Sequence, residues 1–499
     1  MRHAGSPRQG ISSTRGSALL AVMCFATVLA LALTTFQALC HQTLTTSNRN
    51  AQSTHAIELA EMGLECAVWS RTNADWTTAA GGIANWTISG STASLTLSGA
   101  NYNFSNGVTG SVTMSVTNYN GTNTTNSVVT STGTVTLADG STVTRILQAT
   151  LEKAKPFTNA LAATATTGTV QLLTGGQTID SYTVPASPTI PVTFTYDYNA
   201  VVTGYSVSMA NSATVNGYVA TPPNDSGVVA LTYTTGASGS KLKGPSTSAT
   251  LNIDTTRAST SPYQSVFDVP NPTIGTVYAQ PANATALAAA KVTYGNSAFF
   301  ALAEPATSTD VYLGETGSTT YYRATLGATS SSYYYLNNNN GRLIIDGTSV
   351  VIVIPGYFYI NTNGSIIVRN GGSLRILLQG GGSIYYAGID NQTKRPKNLS
   401  IIGTGTTTVG YTLWVWSYSK FYGTIYAPRH AVRIWGYNST SEFFGSIVAS
   451  SVIIDPYSST ALKIHYDKDL SAEIVPDVST PYVIRNGTLM ETNSAGTEL

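Results

Sequence analysis

From Gly16 to Asn48 the chain carries no Asp, Glu, Lys or Arg. Within that stretch, residues 18–40 read ALLAVMCFATVLALALTTFQALC. A helix of about 20 apolar residues crosses a bilayer, so this run constrains the fold before anything else does. Arg2, His3, Arg8 and Arg15 precede it with no acid among them. A basic leader (1–16) stays in the cytoplasm and sends the rest of the chain across the membrane. A cleaved secretory signal has a shorter apolar core and a small-x-small site, which Phe36-Gln37-Ala38 fits poorly. A lipoprotein signal asks for small residues ahead of its cysteine, and neither Val22-Met23-Cys24 nor Ala38-Leu39-Cys40 supplies them. A plain signal anchor satisfies both length and charge.

The helical pattern continues past the apolar run. Ala56, Leu59, Ala60, Gly63 and Ala67 recur at helical spacing, and Glu58, Glu61 and Glu65 mark another face. One helix over 17–69 is predicted, roughly 80 Å long at 1.5 Å per residue. Its first half is transmembrane and its second half amphipathic.

Beyond it the chemistry changes. Only 10% of the 499 residues are charged, against about 25% in an ordinary soluble domain. Polarity comes from Thr, Ser, Asn and 45 Gly, beside 29 Tyr, a mixture suited to strands and turns. Net charge is +1 with no basic cluster, which excludes nucleic acid as a partner. Cys24, Cys40 and Cys66 are the only cysteines, so the rest of the chain has neither disulfides nor thiol chemistry.

Asn73, Asp75, Gly81 and Gly82 predict a hinge across 70–90. Over 86–155, period-2 runs such as Ser94-Leu95-Thr96-Leu97 and Gly133-Thr134-Val135-Thr136-Leu137 predict antiparallel strands, as a small sandwich or a sheet. Asp139-Gly140 marks a hairpin turn. From 156 to 470 short apolar runs recur without intervening helices, among them Arg342-Leu343-Ile344-Ile345, Val350-Val351-Ile352-Val353-Ile354 and Val452-Ile453-Ile454. That density predicts a right-handed parallel β-helix, with an antiparallel sandwich as the alternative. Ile434 and Ile447 are expected inside it and Arg433 outside. Residues 471–499 read as a tail. The fold class is therefore mainly β behind one long N-terminal helix.

Arg15-Gly16-Ser17-Ala18-Leu19-Leu20 resembles the start of PilX-type type IV pilin-like proteins, where a basic leader ends in Gly and the apolar helix begins directly after it. The segment 58–65 (ELAEMGLE) resembles the signature that ends their first helix. The resemblance implies leader cleavage between Gly16 and Ser17, an inner-membrane anchor and an exported periplasmic or surface region in a bacterium. It also implies partners among pilus or type II secretion-like assembly subunits. Ordinary pilins carry Glu where this chain has Ala21, which favours a minor, tip-located or merely anchored role. In order along the chain, 179–182 (IDSY), 215–219 (VNGYV), 421–428 (FYGTIYAP), 444–448 (FGSIV) and 465–467 (HYD) resemble a domain of unknown function found after such N-termini.

Two function classes fit these features: a structural or adhesive pilin-like protein, and a surface-anchored enzyme or binding protein acting on surface polysaccharide. Glycoside hydrolysis needs two carboxylates across a cleft, whereas Asp346, Asp390, Glu442 and Asp455 are scattered singly. Asp467-x-Asp469 beside His465 could hold a cation or close the last coil by local hydrogen bonds. Trp414, Trp416 and Tyr418 share one strand face, with Phe421 and Tyr422 close behind, and could stack on sugars or fill core. Gly380-Gly381-Gly382 reads as a turn, with no helix after it to bind phosphate. No catalytic, cofactor or metal residue is assigned, a non-enzymatic role is expected, and the one processing site is Gly16–Ser17.

Overall fold

The structure, a computed structural model, describes residues 14–492 apart from 77–85, 120–125, 184–193, 261–266, 291–298, 314–321, 326–332, 406–411, 474–481 and shorter internal stretches. The leader residues 1–13 and most of the expected hinge lie outside the described residues. The chain divides into two compact units, residues 1–153 with 482–499, and residues 154–481.

In the first unit, helix α1 spans Thr14–Asn73 without a break. Its N-terminal half presents apolar side chains to the outside: Val22, Phe25, Leu29 and Phe36 are 60–70% exposed. Farther along, Ala56, Leu59, Ala60, Leu64 and Ala67 are buried against an antiparallel sheet. That sheet is built from β1 (Thr87–Ser89), β2 (Thr92–Asn103), β3 (Thr109–Thr117), β4 (Ser127–Thr136) and β5 (Thr142–Lys153), paired in chain order. Every second residue of β3 and β4 is buried, as the period-2 pattern requires. Of the two sequence alternatives, the single sheet is the one formed, with the helix as its cover. The expected hairpin turn forms at Gly140, φ +84°, where Asp139 Oδ1 accepts from Ser141 N at 2.9 Å. The expected tail supplies two further strands, Tyr482–Ile484 and Met490–Thr492, both antiparallel to β5.

The second unit is a parallel β-helix with three faces. Successive coils pair in register, about one turn of 24 residues apart, as Ser349 and Ser373 do through their hydroxyls at 2.8 Å. The interior is an aliphatic ladder. On the first face it runs Ile352, Ile376, Ile401, Ile425, Ile447, Leu161, Val202 and Val219, each the register partner of the next and each no more than 1% exposed. Inward aliphatics at every level are what a solenoid requires, because each coil is stabilised only by its neighbours. Ile434 and Ile447 are fully buried while Arg433 points outward, as the alternation predicts.

The step from Ile447 to Leu161 shows that coil order is not chain order. Residues 442–467 form the last coil in sequence, yet the first coil, 161–182, stacks directly on it. From there the chain climbs through Ala200–Thr203 and Thr214–Ala220 to Ala258–Ser259 at one tip. It then returns to the other tip and winds back from Val277–Tyr278 to residue 467. Residues 267–271 run beside the coils in reverse order. Phe267 bonds the Tyr426 hydroxyl, Asp268 pairs with Arg429 at 2.6 Å, and the Val269 carbonyl accepts from Gly405 N. Long strands bend round corners, so Leu161–Ala163, Ala200–Thr203, Thr214–Ala220, Thr178–Tyr182, Lys463–Asp467 and Glu442–Pro456 close a ring of six parallel strands.

This permuted order has a physical reason. The β-helix is inserted between Lys153 and Tyr482, which are register partners within the first sheet. An inserted domain needs its two chain ends close together. A solenoid wound continuously would hold them apart by its length, roughly 50 Å for about twelve strand levels at about 4.8 Å. Starting at an inner coil and finishing on the coil beneath it brings both ends together.

Candidate functional site

All five motif segments meet at this junction. Residues 421–428 pair with 443–449, which pair with 464–465 and 161–163; His465 lies opposite Asp180, and Val215 opposite Ile179. His465 Nδ1 and Asp180 Oδ1 are 2.5 Å apart although 285 residues separate them. Both are buried, and burial raises the Asp180 carboxyl above its usual range while the His465 bond pulls the other way. They sit on the outer side of the wall, in a column with Tyr422 and Phe444. Tyr196 covers the imidazole at 4.5 Å, and Phe194 packs on Phe444 at 5.1 Å. Strand Tyr196–Asp197 holds this cover by pairing antiparallel to Ser181–Tyr182, and Lys468 and Ser181 both bond Asp197.

His465, Asp467 and Asp469 therefore do not converge. Asp467 is buried and accepts from Asp469 N, capping the short 3-10 helix Lys468–Ala472, whereas Asp469 is exposed. Among the described residues no three His, Cys, Asp or Glu side chains form a group able to hold a metal. Of the scattered acids, Asp346 pairs with Arg369, Glu442 with Lys420 and Asp455 with Arg433, and Asp390 accepts from Gln392. Each outward carboxylate near a base is neutralised by it. The Gly380 carbonyl accepts from the buried His430 Nε2 at 2.8 Å, so that glycine run serves a corner of the coil.

Burial pushes the Asp467 carboxyl up to about 7, the bond from Asp469 N only partly opposing it. An acid whose folded value is raised is favoured in the fold while protonated. Its contribution is full below the ordinary carboxylate range and is lost as pH rises toward and through 7. Asp467→Asn keeps an oxygen for the Asp469 amide and removes the titration. The variant should match the parent at about pH 4 and be more stable at about pH 8, by on the order of 2 kcal/mol. Thermal midpoints of both proteins at the two pH values check this; a gap that does not widen with pH overturns it.

The aromatic run splits three ways. Phe421 faces the interior and Tyr422 lies under the Phe194 cover. Trp414 and Trp416 point outward from the second face, opposite Leu413 and Val415, which are buried as the alternation predicts. Tyr418 lies outside the described residues. The two tryptophans belong to a longer row that sequence reasoning missed. Tyr335, Tyr359, Tyr385, Trp416 and Trp435 lie on successive coils, with centroids 5.2, 5.3, 4.9 and 3.9 Å apart. Arg433 lies over Trp414 and Trp435 at 5.0 and 5.1 Å and pairs with Asp455. The signal for the row was one aromatic per coil, visible only once the coil period is known.

Gly16 and Ser17, expected from the sequence to flank the leader cleavage, fall in the first turn of α1. A family model described as a domain of unknown function (DUF7305) matches residues 304–473, which takes in three of the five motifs. No curated protein and no solved structure matches the chain.

Proposed function

We propose that the protein is a membrane-anchored, pilin-like envelope protein of a bacterium, with a structural or adhesive role rather than an enzymatic one. In this reading the β-helix is exported and the leader is removed between Gly16 and Ser17. One observation carries it: a single unbroken helix whose two halves make opposite demands on their surroundings. Residues 21–40 expose apolar side chains all round, and the hydroxyls of Thr27, Thr34 and Thr35 bond back to carbonyls three and four residues earlier. Such a segment suits hydrocarbon, where every polar group needs an internal partner. About four turns later the same helix is the cover of a β-sheet. A transmembrane half continuous with a sheet-packed half supports a pilin-like subunit, and Ala21 favours a minor or anchored one.

The test is the mature N-terminus of membrane-fraction protein, determined by mass spectrometry. A chain beginning at Ser17 is expected, and Gly16→Leu should leave the leader in place. A membrane-bound chain beginning at Met1, or one beginning beyond Cys40, overturns the pilin-like reading.

A further inference from the structure

We propose that strand residues 446–456 and 463–467 are the closing piece of the β-helix: the coils laid down first, over 161–259, stay open until that piece is seated, so the fold completes only in a chain made through residue 467. This stands on the β-helix alone and does not depend on how the chain is anchored. Four inward side chains of the piece each lie between an early coil and a late one. Ile447 sits between Leu161 and Ile425, Val452 between Val170 and Val432, Ile454 between Leu172 and Ile434, and Ile464 between Ile179 and Phe443. All four are fully buried.

The same piece makes polar links to the start of the β-helix. The Ser446 hydroxyl donates to the Asn159 carbonyl at 2.5 Å and the Tyr466 hydroxyl to the Phe157 carbonyl at 2.8 Å. The Thr164 hydroxyl donates to the Ala449 carbonyl at 2.9 Å, and His465 meets Asp180. Left to themselves, the early coils are a poor solenoid. They stack three levels deep, with the two-residue strand Ala258–Ser259 at their tip. The levels run through Leu161, Val202 and Val219 on the first face, Val170, Val207 and Leu231 on the second, and Ile179, Val215 and Leu242 on the third. Three is the fewest repeats that hold such a stack. Ala162, Ala163, Ala200 and Ala220 are among their buried residues, and alanine buries little apolar area.

The late coils differ. They stack six levels deep from Phe300 to Ile425, with Ile352, Ile376 and Ile401 on the way, deep enough to hold by themselves. A new chain emerges N-terminus first, so Asp180 waits 285 residues for His465. Until then Leu161, Val170, Leu172 and Ile179 face solvent, and their strands present open edges that other chains and proteases can find. A chain cut short keeps those edges open and a complete one hides them. The fold thereby distinguishes complete chains from truncated ones.

The experiment follows hydrogen exchange in the full-length protein in detergent. On refolding from denaturant, pulse labelling should find the amides of Ser349–Ile354 and Ser373–Leu378 protected first. Those of Leu161–Ala163, Thr178–Tyr182 and Thr214–Ala220 should gain protection at the same rate as those of Glu442–Pro456. Protection of the early coils ahead of Glu442–Pro456 overturns the proposal. In the native state, Gly445→Val loosens the seat of the closing piece. Gly445 has φ +145°, and a Cβ there would stand 1.8 Å from the Gly423 carbonyl oxygen. Exchange in Thr178–Tyr182 and Thr214–Ala220 should rise together with that in Glu442–Pro456, at least about tenfold, while Ser349–Ile354 changes by less than about twofold. A rise confined to Glu442–Pro456, or one equal throughout the β-helix, overturns the proposal. If the variant does not fold, the refolding order of the parent decides alone.

Discussion

Ile447→Asp should unfold the β-helix at temperatures where the parent is fully native. Ile447 is fully buried between Ile425 on one coil and Leu161 on the next. A carboxylate there is shut off from solvent between two aliphatic side chains. It either stays charged at a cost of several kcal/mol or takes up a proton, and in both cases the methyl packing is gone. A loss of about 4 kcal/mol or more is expected. Leu161→Asp should do the same damage from the other side of the junction, although it lies in the first coil of the chain. Arg433→Gln is the outward control. Its ion pair with Asp455 is partly exposed, so losing it costs about 1 kcal/mol or less, with a similar small term for the ring contacts. Thermal or denaturant unfolding of the full-length variants reads all three. If Leu161→Asp is as mild as Arg433→Gln while Ile447→Asp is severe, the first coil does not sit on the last, and the permuted order is wrong.

Legibility differed between these features for a physical reason. Inward and outward faces were readable because alternation is local: Val432, Arg433 and Ile434 declare their sides within three residues. The β-helix was readable because short apolar runs recurred without helices to cross between them. Coil order was not readable. Parallel pairing between distant strands leaves no mark but hydrophobicity, and Ile447 would be satisfied by any aliphatic neighbour. The one trace lay in the sequence motifs IDSY and HYD, which turn out to face each other as Asp180 and His465. Residues 482–492 were unreadable as strands because Tyr-Val-Ile and Met-Glu-Thr are too short for a period; β5 supplies their pairing. Trp414 and Trp416 were readable as one face of one strand. Tyr335, Tyr359 and Tyr385 were not, since a side chain one coil away lies beyond any local window.

A second large effect is expected in the first unit, from Gly133→Val. Gly133 lies in the middle of β4, under the helix. A Cβ built there would stand 2.0 Å from the Ala56 carbonyl oxygen and 2.8 Å from Ala60 N. Both are backbone atoms of α1, so no side chain can turn aside to make room. The helix contributes the matching hollow: Ala56, Ala60, Gly63 and Ala67 form its buried small-residue face, and a Cβ on Gly63 would lie 2.1 Å from Ser131 Oγ. These residues include the glycine of the 58–65 segment, whose requirement for a small residue is thus explained by close helix-to-sheet approach rather than by flexibility. Valine at 133 must lift the helix or distort β4, at a cost of about 3 kcal/mol, the upper end of overpacking. Thr134→Val, one residue along and on the outward side, is nearly isosteric and should stay within about 0.5 kcal/mol. Limited proteolysis of the full-length protein in detergent separates the two. In Gly133→Val the sheet should become cleavable between β1 and β5. Thr134→Val should resist as the parent does. Equal resistance in both variants would mean that α1 is not packed on this face of the sheet.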